Sequence, residues 1–208
     1  RRHGVVHVLV NNAGVNLVRR SVSADGFEMT LAVNHLAPFL LTKLLLPTLQ
    51  AGAPSRIVNV TSALERLGRI RWDDLQSQRR YFGVRAYTQS KLATVMFTYE
   101  LAERLAGTGV TANCVHPGLV ATDLMRDLPR WMRAAYEPFL LTPEAGARGV
   151  VWLASAPEVA GVSGRYFSGR REKRSSRRSY DAEARRRLWA VSRELTGCGG
   201  ADVLARQP

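Results

Sequence analysis

The run Val5-Val6-His7-Val8-Leu9-Val10, closed by Asn11-Asn12-Ala13-Gly14, decides the fold. A short apolar, β-branched run ended by a turn reads as a buried strand. Its nearly continuous apolar character predicts cover on both faces, the usual setting of a parallel sheet. Two further strands are expected, over Arg56–Thr61 and over Thr111–Val115, the second ended by His116-Pro117-Gly118. Helical spacing covers about Asp25 to Leu49 and again Ala86 to Ala106, with Gly107 and Gly109 as the stop. A polar, arginine-rich stretch fills 65–85. Thr142 as N-cap and Pro143 at the first helical position open another helix to about Ala154. Gly164–Phe167 is expected as a last short strand and Asp181–Leu195 as a C-terminal helix. Strands alternating with helices predict an α/β fold around a parallel sheet.

At 208 residues the chain fits one domain, expected over 1–196, with a disordered glycine-rich tail over 197–208. Hydrophobic residues make up 46%, which excludes a disordered chain. No apolar run is expected to reach the ~18 residues of a membrane span; the nearest, Phe39–Leu49, is broken by Lys43 and Pro47. Cys114 and Cys198 are too few for a disulfide framework, and Cys114 is expected in the core. The four histidines show no metal-ligand spacing, so no metal is expected and a cytoplasmic setting is. Net charge is +13, and residues 165–187 alone hold ten Arg or Lys against three Asp or Glu. The stretch 170–178 reads as a solvated loop, since no aromatic residues interleave to stack bases. No specific nucleic-acid partner is expected; membrane contact stays open.

In parallel α/β sheets the ligand lies beyond the carboxyl ends of the strands. Asn11, Ser62 and Pro117-Gly118 each follow a predicted strand directly. Tyr87 and Lys91 are four apart on a predicted helix and share a face. A tyrosine titrates near ~10 and is a poor base at neutral pH; an ammonium one turn away favours the phenolate. Ser62 is placed to polarise a carbonyl that Tyr87 protonates, with Thr61 the competing hydroxyl. Asn34 precedes Pro38 by four residues, and proline has no N–H, so the Asn34 carbonyl is expected free to hold water in a proton relay through Lys91. Pro117-Gly118 offers a rigid turn without a Cβ, against which a flat ring packs, and Thr122 can bond an amide on that ring. Trp131, Met132, Tyr136 and Phe139 suggest apolar cover over the site from the stretch between Met125 and Leu141.

Taken together and in this order, the residues resemble the short-chain dehydrogenase/reductase family. Asn11-Asn12-Ala13-Gly14, Tyr87-x-x-x-Lys91 and Pro117-Gly118-x-Val120-x-Thr122 carry the likeness, which spans nearly the whole chain. A closer resemblance is to the retinol dehydrogenase-like branch. It rests on Val33-Asn34-His35-Leu36-Ala37-Pro38-Phe39-Leu40-Leu41-Thr42, Ser55–Ser62, Ser90-Lys91-Leu92-Ala93, Gly164-Arg165-Tyr166-Phe167 and Arg187-Leu188-Trp189. The 25-residue separation of Ser62 and Tyr87, with Asp73-Asp74-Leu75 between, looks like that branch and favours Ser62 over Thr61. The resemblance implies a Rossmann-like doubly wound parallel sheet with helices on both faces. It implies hydride transfer between NAD(P)(H) and an alcohol or carbonyl, with NADP favoured over NAD. By it Tyr87 is the general acid/base, Ser62 polarises the carbonyl, Lys91 lowers the tyrosine pKa and binds the nicotinamide ribose, and Asn34 maintains the relay. By it, too, Asn11, Ala13 and Gly14 line the adenosine side, Tyr87 and Lys91 also touch the cofactor, and Pro117, Gly118, Val120 and Thr122 hold the nicotinamide end. A homodimer through the long helices from Ala86 and Pro143 is the family's arrangement.

The departure from the family pattern is at the front. These 208 residues hold no Gly-x-x-x-Gly-x-Gly turn between a strand and a helix, so the fold is expected as an N-terminally truncated one in which the pyrophosphate loses its helix N-terminus. Val5–Val10 is then expected as an apolar sheet edge. The alternative function is a catalytically silent remnant acting as a binding or scaffold protein.

Overall fold

Five strands form one sheet in the order β1-β2-β3-β4-β5. The computed structural model describes residues 4–120 and 140–198. Strands β1 (Val8–Asn11), β2 (Ser55–Val60), β3 (Val110–His116) and β4 (Tyr166–Ser168) run parallel, and β5 (Arg171–Lys173) returns antiparallel on β4. The register aligns Leu9, Ile57 and Ala112 in one row, and Asn11, Asn59 and Cys114 in the next row on the same face. β1 starts later than the apolar run suggested, because the Val6 N–H is taken by the Thr48 carbonyl at 3.0 Å. Among the described residues it pairs only with β2 and so forms the sheet edge that the sequence predicted.

Helix α1 (Met29–Ala51) is continuous, with a π-turn at Ala32–Leu36. Glu28 caps its start, its two carboxylate oxygens accepting from the N–H groups of Thr30 and Leu31 at 2.8 Å. This corrects the expectation about membrane spans. The helix begins ten residues before Phe39 and runs on through Lys43 and Pro47, so by length and composition it suffices to cross a bilayer. Its buried residues Leu31, Leu36, Phe39, Leu46 and Leu49 belong to the protein core.

Helices α2 (Gly83–Arg104) and α4 (Ala182–Leu195) join α1 on one face of the sheet. Phe39, Phe97 and Trp189 meet there at ring-centroid distances of 5.0 to 6.0 Å. Helix α3 (Pro143–Ser155) covers the other face, where Val58, Val115, Leu153, Val159 and Phe167 pack together. Thr142 caps α3 through the Ala145 N–H, as its sequence predicted.

Every α2 residue from Ala86 to Leu101 is buried within the chain, enclosed by the turn at 63–67, by α4 and by the turn at 177–180. Burial corrects one expectation: the basic stretch 170–178 is more than a solvated loop. Arg171–Lys173 forms the exposed strand β5, while Ser175 and Ser176 are buried.

Candidate active site

The carboxyl ends of β1, β2 and β3 open onto a cleft of about 790 Å3. The loop after β1 contributes Asn12, Ala13, Gly14 and Val15 to its wall; the end of β2 and the two residues after it contribute Val60, Thr61 and Ser62; α2 contributes Tyr87 and Lys91; and the end of β3 and the loop after it contribute His116, Pro117, Gly118 and Val120. Helix α3 closes the far side with Pro143, Gly146 and Val150.

Ser62 leaves β2 in extended conformation and caps the short 3-10 turn Ala63–Leu67, its oxygen accepting from the Leu64 N–H at 3.2 Å. That bond occupies one lone pair and leaves the hydroxyl proton for another partner. The Ser62 hydroxyl lies near enough to the Tyr87 phenol to favour its charged form. Thr61, the rival hydroxyl, donates to the Lys91 carbonyl at 3.0 Å and so ties β2 to α2.

The electrostatics reverse one expectation. Burial pushes the Tyr87 phenol above its ordinary pKa, and the nearby Ser62 hydroxyl pulls it partway back. Lys91 was expected to bring about a net lowering. Its ammonium instead lies 5.8 Å from the Tyr87 ring centroid and donates to the Val60 carbonyl at 3.1 Å. Burial also lowers the Lys91 pKa to about 8, because a low-polarity surrounding disfavours the charged form.

Asn34 sits in the π-turn of α1 and works mostly through its side chain. Its amide exchanges bonds with the backbone of Val15, accepting at 2.8 Å and donating at 2.9 Å, and donates to Ser90 Oγ at 2.9 Å. This pins the loop after β1 beside α2. The Asn34 carbonyl, expected free, accepts from Thr94 Oγ1 at 3.1 Å, since α2 presents a hydroxyl where Pro38 offers no N–H. At Gly14 a Cβ would stand 3.3 Å from Lys91 Nζ and 3.4 Å from Asn34 Oδ1, so this loop approaches the polar cluster closely.

Asn11 does not line the cleft. Its amide turns into the sheet, donating to Asn59 Oδ1 at 2.7 Å and Thr42 Oγ1 at 3.2 Å. Asn12, the next residue, faces the cleft in its place. His116 also lines the cleft, and burial lowers its pKa. Neither Asn12 nor His116 was singled out as a site residue from the sequence; the alternation of strand faces is the signal that separates Asn12 from Asn11. Thr122 and the apolar cover at Trp131, Met132, Tyr136 and Phe139 lie outside the described residues.

A nicotinamide ribose fits the residues present. Lys91 supplies a cationic donor in the wall, and Gly118, at φ +99°, turns the chain after β3 with Leu141 packed where a Cβ would stand. Among the described residues no glycine-rich turn opens a helix toward the cleft to hold the pyrophosphate end.

The fold defines a Rossmann-like α/β protein with its cleft at the carboxyl ends of the strands. The chain belongs to the short chain dehydrogenase family, whose pattern matches residues 1–133. It is similar to Retinol dehydrogenase 14 of Homo sapiens, 45% identical over 196 residues that cover 91% of this chain and 58% of the relative. It is also similar to Retinol dehydrogenase 12 of Homo sapiens, 46% identical over 194 residues, covering 92% of this chain and 61% of that protein. The chain thus spans about three fifths of these relatives. A crystal structure of an uncharacterized protein from Mycobacterium paratuberculosis superposes with a TM-score of 0.76 at 35% identity, covering 94% of this chain and 69% of that one. A short-chain dehydrogenase/reductase from Caenorhabditis elegans, solved with cofactor, shares the fold at a TM-score of 0.61.

Proposed function

We propose that the chain carries the catalytic half of an NAD(P)-dependent oxidoreductase acting on an alcohol or carbonyl. The observation that carries this reading is the meeting of Ser62, Tyr87 and Lys91 in the wall of one cleft, with Lys91 one helical turn from Tyr87. A substrate carbonyl oxygen seated between the two hydroxyls receives a hydrogen bond from Ser62 and the proton from Tyr87. Lys91, Gly118 and Val120 hold the nicotinamide ribose end, with Thr122 assigned there by the family pattern. When bound, the nicotinamide supplies or accepts a hydride. Lys91, with its pKa near 8, can pass a proton at mildly alkaline pH. Asn34 keeps the loop at Gly14 against it. The relatives' names make retinol the first substrate to test.

The decisive test is Tyr87→Phe in a chimera that carries a family member's glycine-rich N-terminal βαβ unit ahead of residue 1. Turnover should fall by roughly 10²- to 10⁴-fold, with NADPH affinity by fluorescence titration little changed. Turnover within threefold of the unsubstituted chimera would remove Tyr87 from the reaction.

A further inference from the structure

Glu65 has no side-chain surface exposed to solvent and lies three residues after Ser62, in the turn that Ser62 caps. A buried carboxylate is costly unless it is well bonded. The local pattern Ser62-x-x-Glu65 matches a capping box, in which the glutamate reaches back to the cap residue's own N–H. The structure shows a different arrangement. Both carboxylate oxygens go to Ser176, one accepting from its N–H at 2.9 Å and the other from its hydroxyl at 2.6 Å. The turn is thus tied to a segment 111 residues further along the chain.

That segment also grips α2, the helix carrying Tyr87 and Lys91. Ser175 Oγ shares a hydrogen bond with Tyr99 Oη at 2.7 Å, and the Ser175 N–H donates to Tyr180 Oη at 3.2 Å. Tyr180 stacks on Tyr99 at 5.3 Å between centroids. Arg178 adds a bond to the Gly68 carbonyl at 3.2 Å, at the end of the same turn. One short segment therefore holds the two elements that bring Ser62 and Tyr87 to the same cleft.

We propose that Glu65 is a positioning residue. Through Ser176 it locks the turn that presents Ser62 to the segment that braces α2, and so holds the Ser62 hydroxyl beside the Tyr87 phenol in the cleft. This rests on the reading of the site given above, but its geometry can be tested without turnover. Loss of the tie frees the turn while the strand before it stays in place. The amide of Glu65→Gln keeps one acceptor for the Ser176 N–H and turns a donor toward its hydroxyl oxygen, so it should preserve the lock.

The test labels tyrosine Cζ with 13C in the 208-residue chain and identifies the Tyr87 resonance by its disappearance in Tyr87→Phe. Ser62→Ala marks the position of a phenol without its serine partner. Glu65→Ala should move the Tyr87 resonance most of the way to that mark, Ser176→Ala part of the way, and Glu65→Gln hardly at all. Circular dichroism checks that each variant is folded. An unmoved Tyr87 resonance in folded Glu65→Ala overturns the proposal; if that variant does not fold, an unmoved resonance in Ser176→Ala does so. A shift as large in Glu65→Gln as in Ser62→Ala also overturns it, because the lock would then depend on charge and not on the bonds to Ser176. If Tyr87→Phe or Ser62→Ala leaves the chimera's turnover intact, the catalytic reading fails while these shifts still decide the role of Glu65.

Discussion

The two faces of the sheet are finished to different degrees. On the face of α1, α2 and α4, the Leu9 side of β1 is sealed under Phe39, Leu46, Phe97 and Trp189, and Phe39 is 0% exposed. On the face of α3 the sheet is sealed only over β2 to β4. There Val8 and Val10 of the edge strand keep 41% and 38% of their surface exposed, and Val151 of α3 keeps 59%. Three of the cleft side chains hang from the sealed half: Ser62 from just beyond the end of β2, Tyr87 and Lys91 from α2. The contrast teaches that the Ser62–Tyr87 arrangement is stabilised by packing complete within these residues, whereas the edge where β1 lies is open.

The sharpest way to break this comparison is a truncation on each face. Phe39→Ala removes a fully buried ring in contact with three aromatic neighbours and should cost about 4 kcal/mol. Val10→Ala on the open face should cost less than about 1 kcal/mol. Urea unfolding followed by Trp fluorescence measures both. Equal losses would mean that the two faces are equally closed in solution.

His35 sharpens the comparison through pH. It is 1% exposed on the sealed face, bonded through Nε2 to Ser192 Oγ at 2.7 Å, with its ring edge on to Phe97. Burial lowers its pKa to about 4. The unfolded chain takes up this proton near pH ~6.5, while the folded chain takes it up only near 4. Its contribution is therefore complete above pH 6.5 and is lost as pH falls toward 4, by on the order of 3 kcal/mol. The urea midpoint of the parent chain should drop between pH 7 and pH 5 by more than that of His35→Gln, which has no ring to titrate. Identical slopes would show that His35 is reached by water.

Much of this contrast was legible in the sequence. The three parallel strands and the spacing of Ser62, Tyr87 and Lys91 follow from apolar runs, turn residues and the helical period. Asn11 and Asn12 show the limit of that reading. Neighbouring residues at a strand end point to opposite faces, so a slip of one residue exchanges a sheet-tying amide for a cleft-lining one. Strand β5 was illegible because Arg171, Glu172 and Lys173 are all exposed, and alternation arises only where one face is buried. The pKa directions of Tyr87 and Lys91 were illegible for another reason: they follow from burial, a property of the whole fold, and it outweighs the pair spacing read along the helix.

The smallest expected effect concerns the edge itself. Val10→Thr exchanges a methyl for a hydroxyl on a side chain still 38% exposed, so it should change stability by no more than about 0.5 kcal/mol. Val8→Lys should be similarly mild for folding but should act on association. A charged side chain on an edge strand opposes pairing with the edge of another molecule. Sedimentation velocity should therefore show less self-association of Val8→Lys than of the parent chain, at unchanged urea midpoint. A loss above about 2 kcal/mol in Val10→Thr would instead place the valine in a packed interior, and the distinction between a sealed and an open face would no longer hold.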